Sequence, residues 1–174
     1  MLKIRSQAGM GMFEVLVALF ILAIGVLGFS ALQLRAVEAT MEANDKTLAM
    51  NLARDLAERI RINRQALTQY TTAINDPAAT TECLPTTLAS TYRPTCTPET
   101  LARHDATEIL QIANNQGQTV VMAQCQGGVR TCIYVAWGST VISPNDLSQC
   151  MVGGSYRNNA KCIVMEAYEN VPTT

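Results

Sequence analysis

The longest apolar run in the chain is Val15–Leu34, which contains no charged residue. Its length matches the roughly 20 residues that a helix needs to cross about 30 Å of hydrocarbon, so the pattern predicts a transmembrane helix. A buried helix of a soluble protein is the alternative, but such helices are usually shorter and interrupted by polar residues. Glu14 lies directly before the run. A carboxylate at the edge of a membrane span costs free energy, which makes Glu14 a candidate functional residue.

The charges around this run predict its orientation. Lys3 and Arg5 precede it, no acidic residue precedes Glu14, and Arg35 follows its end. Positive residues stay on the cytoplasmic side, so we expect a cytoplasmic N-terminus and an exported remainder. A secretory signal would have a shorter apolar region, followed by a small-residue cleavage site. Here the small pair Ala8-Gly9 lies before the run, so cleavage at that point would retain the span in the mature protein.

Beyond Leu34 the larger apolar residues recur at spacings of three, four and seven, which is the pattern of one helical stripe. They are Val37, Met41, Leu48, Leu52, Leu56, Ile60 and Leu67. We therefore expect one helix from about Gly11 to Tyr70, whose second half needs a partner domain over its apolar stripe. Asp55 and Arg59 form a favourable i,i+4 pair. The charge-dense stretch from residue 54 to residue 64 is interpreted as a solvated face.

The segment after this helix contains a loop and a shorter helix. Pro77–Pro98 is rich in Thr, Pro and Ala and carries two cysteines, which predicts an irregular loop that is pinned covalently. Thr97 is the expected N-cap of the next helix, with Pro98 at its first position and Glu99 in its first turn. Asn115–Gly117 would end it. The apolar side of this helix would be formed by Leu101, Ala106, Ile109 and Ala113.

Strand patterns follow in the last third of the chain. Thr119–Cys125 and Arg130–Trp137 are rich in β-forming residues and predict a hairpin. Ser143–Asp146 and Gly153–Asn159 are expected turns or loops, and Lys161–Tyr168 is the last expected strand. The fold class is therefore α+β, with a long N-terminal helix packed on a small antiparallel sheet.

Two turns are possible in the hairpin. If Gly127-Gly128 is the two-residue turn, Cys125 faces Arg130 and lies diagonal to Cys132. If the turn is one residue later, Cys125 faces Cys132 directly, which suits a disulfide better.

Six cysteines occur, all in the half of the chain that we expect to be exported: Cys83, Cys96, Cys125, Cys132, Cys150 and Cys162. An even number in a small exported domain indicates disulfides. Six cysteines permit 15 connectivities, among which sequence alone cannot choose. Neighbour pairing, 83–96, 125–132 and 150–162, is our working hypothesis. A metal site is not expected, because there is no C-x-x-C motif and only one histidine.

The remaining polar residues do not indicate catalysis or nucleic-acid binding. His104 and Asp105 could suggest a base and its orienting residue, but adjacent helical residues point about 100° apart. No Gly-flanked serine, phosphate loop or metal-ligand cluster appears, so we expect no enzyme and no cofactor, and His104 is interpreted as an exposed helical residue. The formal charge is −1, and removal of Lys3 and Arg5 leaves 11 basic and 14 acidic residues, or −3. A net negative charge does not indicate nucleic-acid binding.

The leader ending in Gly9, Glu14 at the fifth position counted from Met10, and the uninterrupted span together resemble a type IV prepilin. This resemblance implies the type IV pilin fold, cleavage after Gly9 by a prepilin peptidase and N-methylation of Met10. It also implies that Glu14 acts in subunit assembly, by pairing with the N-terminal ammonium of a neighbouring subunit. Met10 departs from the family's usual Phe at the first mature position, and Gly11 is less usual than a hydroxyl residue.

Three segments resemble, more narrowly, the PilV-type minor pilins: Glu14–Leu19, Leu22–Gly28 and Leu52–Ile60. This resemblance covers roughly the first 65 residues. It implies a minor pilin at the pilus tip that helps to prime assembly with other minor pilins, the major pilin and a tip adhesin. A minor pseudopilin of a type II secretion system is the alternative, because it shares the same N-terminal features. A DNA-binding pilin is disfavoured by the charge of −3.

The expected organisation has five parts: a basic leader (1–9), a transmembrane and polymerisation helix (10–34), the amphipathic half of that helix (35–70), a loop and short helix (71–118) and an antiparallel sheet with disulfide-pinned loops (119–174). The protein would first be a single-pass protein of the inner membrane, with its C-terminal domain in the periplasm. It would then enter the extracellular pilus.

Overall fold

The computed structural model describes residues 11–76, 78, 83 and 96–167 of the 174-residue chain. The chain divides into two compact units, Met1–Ala43 and Asn44–Thr174, which are described separately below. The predicted leader, including Gly9, and Met10 lie outside the described residues, as does most of the predicted loop Pro77–Pro98.

The first unit contains the beginning of helix α1, which covers Met12–Ile62 in total. Its most apolar window has a mean hydropathy of 2.8, and by length and composition α1 can cross a membrane. The large side chains of the predicted span are exposed, Phe20 and Leu27 among them. The Ser30 hydroxyl donates to the carbonyl oxygen of Val26 at 2.9 Å, so this polar group is satisfied within the helix.

The C-terminal end of the long helix differs from the expectation. One continuous helix to Tyr70 was predicted, but α1 ends at Ile62. A 3-10 turn at Arg64–Ala66 follows, and a separate helix α2 covers Leu67–Asn75. The apolar periodicity continues across the break, which explains why the pattern suggested a single helix. Tyr70 is fully buried in α2.

Asn63 lies at this break and is held by a residue far along the chain. Its φ of −118° and ψ of 52° are not helical. Its side-chain nitrogen donates to the carbonyl oxygen of Pro98 at 2.7 Å. Pro98 is the first residue of helix α3, Pro98–Asn115, and the Thr97 side chain accepts a first-turn N–H as predicted for the N-cap. The break in the first helix is therefore stabilised by contact with the start of the third.

The described residues of the second unit form five strands: β1 Gln118–Gln124, β2 Thr131–Trp137, β3 Met151–Val152, β4 Ser155–Tyr156 and β5 Cys162–Glu166. Strands β1, β2 and β5 form an antiparallel sheet and lie side by side in that order. Strands β3 and β4 pair separately as a short hairpin. Together with α1 the five strands give the predicted α+β architecture, a long N-terminal apolar helix and a small antiparallel sheet.

The β1–β2 hairpin has the first of the two registers considered above. The N–H of Cys125 donates to the carbonyl oxygen of Arg130 at 2.8 Å, so these residues face each other. The connection from residue 126 to residue 129 contains Gly127 at φ +88°, a backbone conformation that glycine adopts at low cost. The alternative in which Cys125 faces Cys132 directly is therefore wrong. The two residues are diagonal neighbours that still form a disulfide, with Cα atoms 4.9 Å apart.

Both faces of the three-stranded sheet are covered. One face packs against the helices, and the predicted stripe residues Leu52, Leu56 and Ile60 are buried there. Its strand residues are Val120, Met122, Ile133, Val135, Trp137 and Ile163. Val37 and Met41, at the N-terminal end of the same predicted stripe, are exposed.

The opposite sheet face is covered by the segment between β2 and β5. Ile142, Leu147 and Met151 of that segment pack with Val121, Tyr134 and other residues of this face. The sequence pattern predicted only turns and loops in this segment.

The six cysteines form three disulfides in the structure, Cys83–Cys96, Cys125–Cys132 and Cys150–Cys162. This is the neighbour pairing. The 150–162 disulfide fastens the segment that covers the second sheet face to strand β5. Closing a loop of this length restricts the unfolded chain and contributes about 2–4 kcal/mol.

Candidate functional site

Glu14 lies in the first turn of α1, where the chain begins its longest apolar surface. Its N–H donates to the carbonyl oxygen of Gly11 at 2.9 Å, which starts the helix. Unpaired N–H groups give this end of a helix a partial positive charge, so a carboxylate is favourable here. Glu14 is exposed. Ala18 and Leu22 follow at i+4 and i+8, so the carboxylate stands at the head of an apolar helix face.

The exposed surface after Glu14 is almost continuous in its apolar character. Large side chains with more than half of their surface exposed are Leu16, Leu19, Phe20, Ile21, Leu22, Ile24, Val26, Leu27, Phe29, Leu32 and Leu34. An apolar surface of this extent marks a site that contacts lipid or protein rather than water. Gly25 and Gly28 lie within it, and a Cβ at either would meet no described atom.

The other concentration of charge is in the second unit, around Arg59. Its guanidinium donates to Asp55 Oδ1 at 3.0 Å, to Asp105 Oδ1 at 2.8 Å and to Glu108 Oε2 at 2.6 Å. Tyr70 donates to the other carboxylate oxygen of Asp105. Side chains of α1, α2 and α3 therefore meet in one hydrogen-bonded network. The predicted Asp55–Arg59 pair is confirmed. The prediction of a solvated face is wrong for Arg59, because α3 covers its side chain.

Burial and hydrogen bonding shift two pKa values in this network. Burial alone lowers the pKa of the Arg59 guanidinium, but the hydrogen bonds to Asp55, Glu108 and Asp105 outweigh it and raise the pKa. Burial raises the pKa of the Tyr70 hydroxyl well above its ordinary value, and the hydrogen bond to Asp105 raises it further. Both groups therefore keep their protons at neutral pH, and the network is a structural contact between helices.

His104 is partly buried, which corrects the expectation of an exposed helical residue. Its side chain is 20% exposed, and Nε2 lies 3.6 Å from Glu108 Oε1. Asp105 is bound to Arg59 and Tyr70, so it does not orient His104. Among the described residues, no group of three or more His, Cys, Asp or Glu could hold a metal ion.

Sequence reasoning missed three residues that position these elements: Asn63, Tyr70 and Asn75. Asn63 holds the break after α1, and Tyr70 joins α2 to Asp105. The Asn75 side chain donates to the carbonyl oxygen of Met122 at 2.7 Å and accepts from its N–H at 3.0 Å. Their polar groups within an apolar helical pattern could have marked them as candidates. Their hydrogen-bond partners, however, lie 35 to 47 positions away in the sequence.

These features define a class of protein: a pilin-like α+β structure in which an exposed apolar helix precedes a helix-backed, disulfide-bonded sheet. Two family models match the chain. One, described as type IV pilin Tt1218, matches residues 31–107, and the other, described as the prokaryotic N-terminal methylation motif, matches residues 4–30. No curated protein and no solved structure matches the chain.

The two matches adjoin each other over residues 4–107 and support the assignment of the chain as a type IV pilin with the N-terminal methylation motif. The chain is a structural protein without enzymatic activity. The motif implies processing by a prepilin peptidase, and the N-terminal apolar helix is consistent with membrane anchoring before pilus assembly.

Proposed function

We propose that this pilin is a minor subunit of the type IV pilus, which is cleaved after Gly9 and N-methylated on Met10. It then joins the filament at the tip and helps to prime its assembly. The observation that carries this proposal is the methylation motif over residues 4–30, with Glu14 directly before an uninterrupted apolar span. Residues 10–34 act as the polymerisation segment, and the N-terminus starts on the cytoplasmic side of the inner membrane.

The cleavage site has a direct test. Gly9→Arg places a long charged side chain at the residue before the cut and should leave the precursor unprocessed. Gln7→Arg is the matched control, because it adds the same charge within a leader that is already basic. A gel that resolves the precursor from the mature form measures the outcome. A processed band of normal intensity from Gly9→Arg would count against the assigned site.

Glu14 acts after cleavage, once Met10 has a free ammonium group. An ammonium on one subunit and the Glu14 carboxylate on its neighbour neutralise each other where both leave water, whereas either charge alone is costly there. Head-to-tail contacts of this kind build open helical assemblies. The exposed apolar side chains after Glu14 support this role, because they offer surface to lipid before assembly and to neighbouring subunits afterwards.

The minor role and the tip position rest on the PilV-like segments Glu14–Leu19, Leu22–Gly28 and Leu52–Ile60. Other minor pilins, the major pilin and a tip adhesin are the partners that this role requires. The stabilising disulfides suit a subunit that leaves the periplasm for the extracellular filament. The subunit's position is testable with gold-labelled antibody against the second unit, which should mark filament ends rather than their length.

A minor pseudopilin of a type II secretion system is the alternative, because it would have the same N-terminal features. Deletion of the gene separates the two functions. The proposal predicts that pilus number and twitching motility fall while protein secretion is unchanged. Loss of secretion with normal motility would replace the pilus role with the pseudopilus role.

A further inference from the structure

An open groove of about 470 Å³ runs along the outer edge of strand β1 in the second unit. Ile74 and Ala113, from the C-terminal ends of α2 and α3, lie on one side of it, and Ile142 and Pro144 lie on the other. Val120 of β1 lies between these two sides. The volume is in the range of ligand sites, and the lining combines apolar side chains with uncharged polar ones.

Strand β1 is an edge strand. The register of the hairpin determines which of its backbone N–H and C=O groups point away from β2. The N–H of Cys125 points toward Arg130, just before β2, and donates to its carbonyl oxygen, so every second residue before Cys125 also directs its N–H and C=O toward β2. The residues between them, Met122 and Val120 among them, direct their N–H and C=O away from β2. Such an unpaired edge can pair with another extended chain.

Asn75 already occupies one position of this edge. Its carboxamide donates to the carbonyl oxygen of Met122 and accepts from the N–H of Met122, as the peptide groups of a neighbouring strand would. Val120 lies two residues away, about 6.8 Å along the strand, and presents the same outward pair to the groove. No described side chain hydrogen-bonds to Val120.

A second polar group at the groove also lacks a partner. Gln118 is only 6% exposed and lines the groove. Its side-chain nitrogen donates to the carbonyl oxygen of Asp45 at 3.1 Å, but its Oε1 is buried and has no hydrogen-bond partner among the described residues. A buried acceptor left unpaired costs about 1–3 kcal/mol, so a hydrogen-bond donor bound in the groove would be favoured.

We propose that this groove binds a short extended peptide segment of a partner protein by strand addition at Val120. The segment's backbone pairs with the N–H and C=O of Val120, as Asn75 pairs with Met122. A further donor of the segment satisfies Gln118 Oε1, and a small apolar side chain packs against Ile74 and Ala113 on one side of the groove. Peptide recognition by an exposed strand edge follows this division between backbone pairing and side-chain pockets.

The chemistry of the groove limits what the segment can be. The polar residues at the groove are uncharged: Asn75, Asn114, Gln118, Thr119 and Ser143. A charged segment would lose its hydration there without an ion pair in return, so an uncharged segment is preferred. Asn75 blocks continued pairing beyond Val120, which limits the paired stretch to a few residues. The site is separate from Glu14 and does not depend on the proposed assembly role.

The test is an NMR titration of the ¹⁵N-labelled full chain in detergent micelles. The probe is the capped peptide acetyl-Ser-Val-Thr-Val-Ser-amide, which is uncharged and alternates polar and apolar residues. We expect saturable shifts of the Val120 amide and the Gln118 side-chain amide. The same peptide with both valine nitrogens methylated cannot donate there and should not bind.

Two variants locate the site. Asn114→Trp puts a large exposed side chain into the groove and should weaken binding by about tenfold or more, the effect of 1.4 kcal/mol. Asn115→Trp is the matched control, because Asn115 is exposed on the same helix but does not line the groove. Val120→Pro removes the outward N–H, which an edge strand tolerates, and it also replaces a buried core side chain. In the folded variant, binding should also weaken about tenfold.

Three results would overturn the proposal. The first is the absence of saturable shifts at Val120 and Gln118 with the unmethylated peptide at millimolar concentration. The second is equal binding of the methylated peptide, which would indicate an apolar ligand pocket without backbone pairing. The third is equal affinity in Asn114→Trp and Asn115→Trp, which would place the peptide elsewhere.

Discussion

The two ends of helix α1 belong to one continuous helix, but their apolar side chains differ in exposure. In the first unit, from Met12 to Ala43, large apolar side chains such as Leu27 remain exposed. In the second unit, Leu52, Leu56 and Ile60 of the same helix are buried against the sheet. The second unit therefore covers its own apolar residues. The apolar surface of the first unit is consistent with membrane anchoring before pilus assembly.

The sharpest test of this comparison makes the same substitution at both ends. Leu56 is fully buried, and Leu56→Ala should lower the free energy of unfolding by about 3 kcal/mol through lost contacts and a cavity. Leu27 is 71% exposed, and Leu27→Ala should leave the unfolding of the second unit unchanged. Denaturant titration in micelles, followed by the fluorescence of Trp137, measures both. Equal losses from the two variants would contradict the division of α1 into two roles.

A smaller effect is expected in the charge network around Arg59. Arg59→Met leaves the Asp105 carboxylate, whose side chain is only 12% exposed, without its cation. We expect a loss of about 2 kcal/mol in the free energy of unfolding. Arg61→Met is the control, because Arg61 pairs with Glu58 at the surface and such pairs contribute about 0–1 kcal/mol. If the two variants have the same denaturation midpoint, the network does not hold the helices together.

The smallest expected effect is at Tyr70. Tyr70→Phe removes the hydrogen bond to Asp105 and should lower the free energy of unfolding by about 1.5 kcal/mol at pH 7.

The pH dependence of this contact has a definite sign. The pKa of Tyr70 is raised in the folded state, so the unfolded state loses its proton first as the pH increases. Stability from this group is therefore complete below the ordinary tyrosine pKa of about 10 and falls as the pH rises above it. Tyr134, whose pKa burial also raises, contributes in the same direction in both proteins. The wild type should lose more stability than Tyr70→Phe between pH 7 and pH 11, and an equal or smaller loss would contradict the burial of the hydroxyl.

Sequence reasoning succeeded where the determining contacts are local. The apolar run after Glu14, the Thr97 N-cap and the hairpin strands are each specified by residues within a few positions of one another. The chemistry of the processing motif is also local, since it lies within residues 4–30.

The failures share a different physical cause. The break at Asn63 depends on Pro98, and the burial of Asp105 depends on Arg59 and Tyr70 from two other helices. The cover over the second sheet face comes from a segment with little regular structure, whose apolar residues have no helical or strand periodicity. Such contacts are decided by tertiary packing, which a local pattern does not contain.

We propose that the beginning of α1 is an assembly element and that Glu14 acts in it. The most direct measurement compares Glu14→Ala with Glu38→Ala, each as the only copy of the protein in the cell. Glu38 is an exposed acidic residue of the same helix, beyond the apolar run. Immunoblots of the membrane fraction and of sheared pili measure processing and incorporation separately. The account predicts that both variants are processed and that only Glu14→Ala is strongly depleted from pili. Normal incorporation of Glu14→Ala would contradict it.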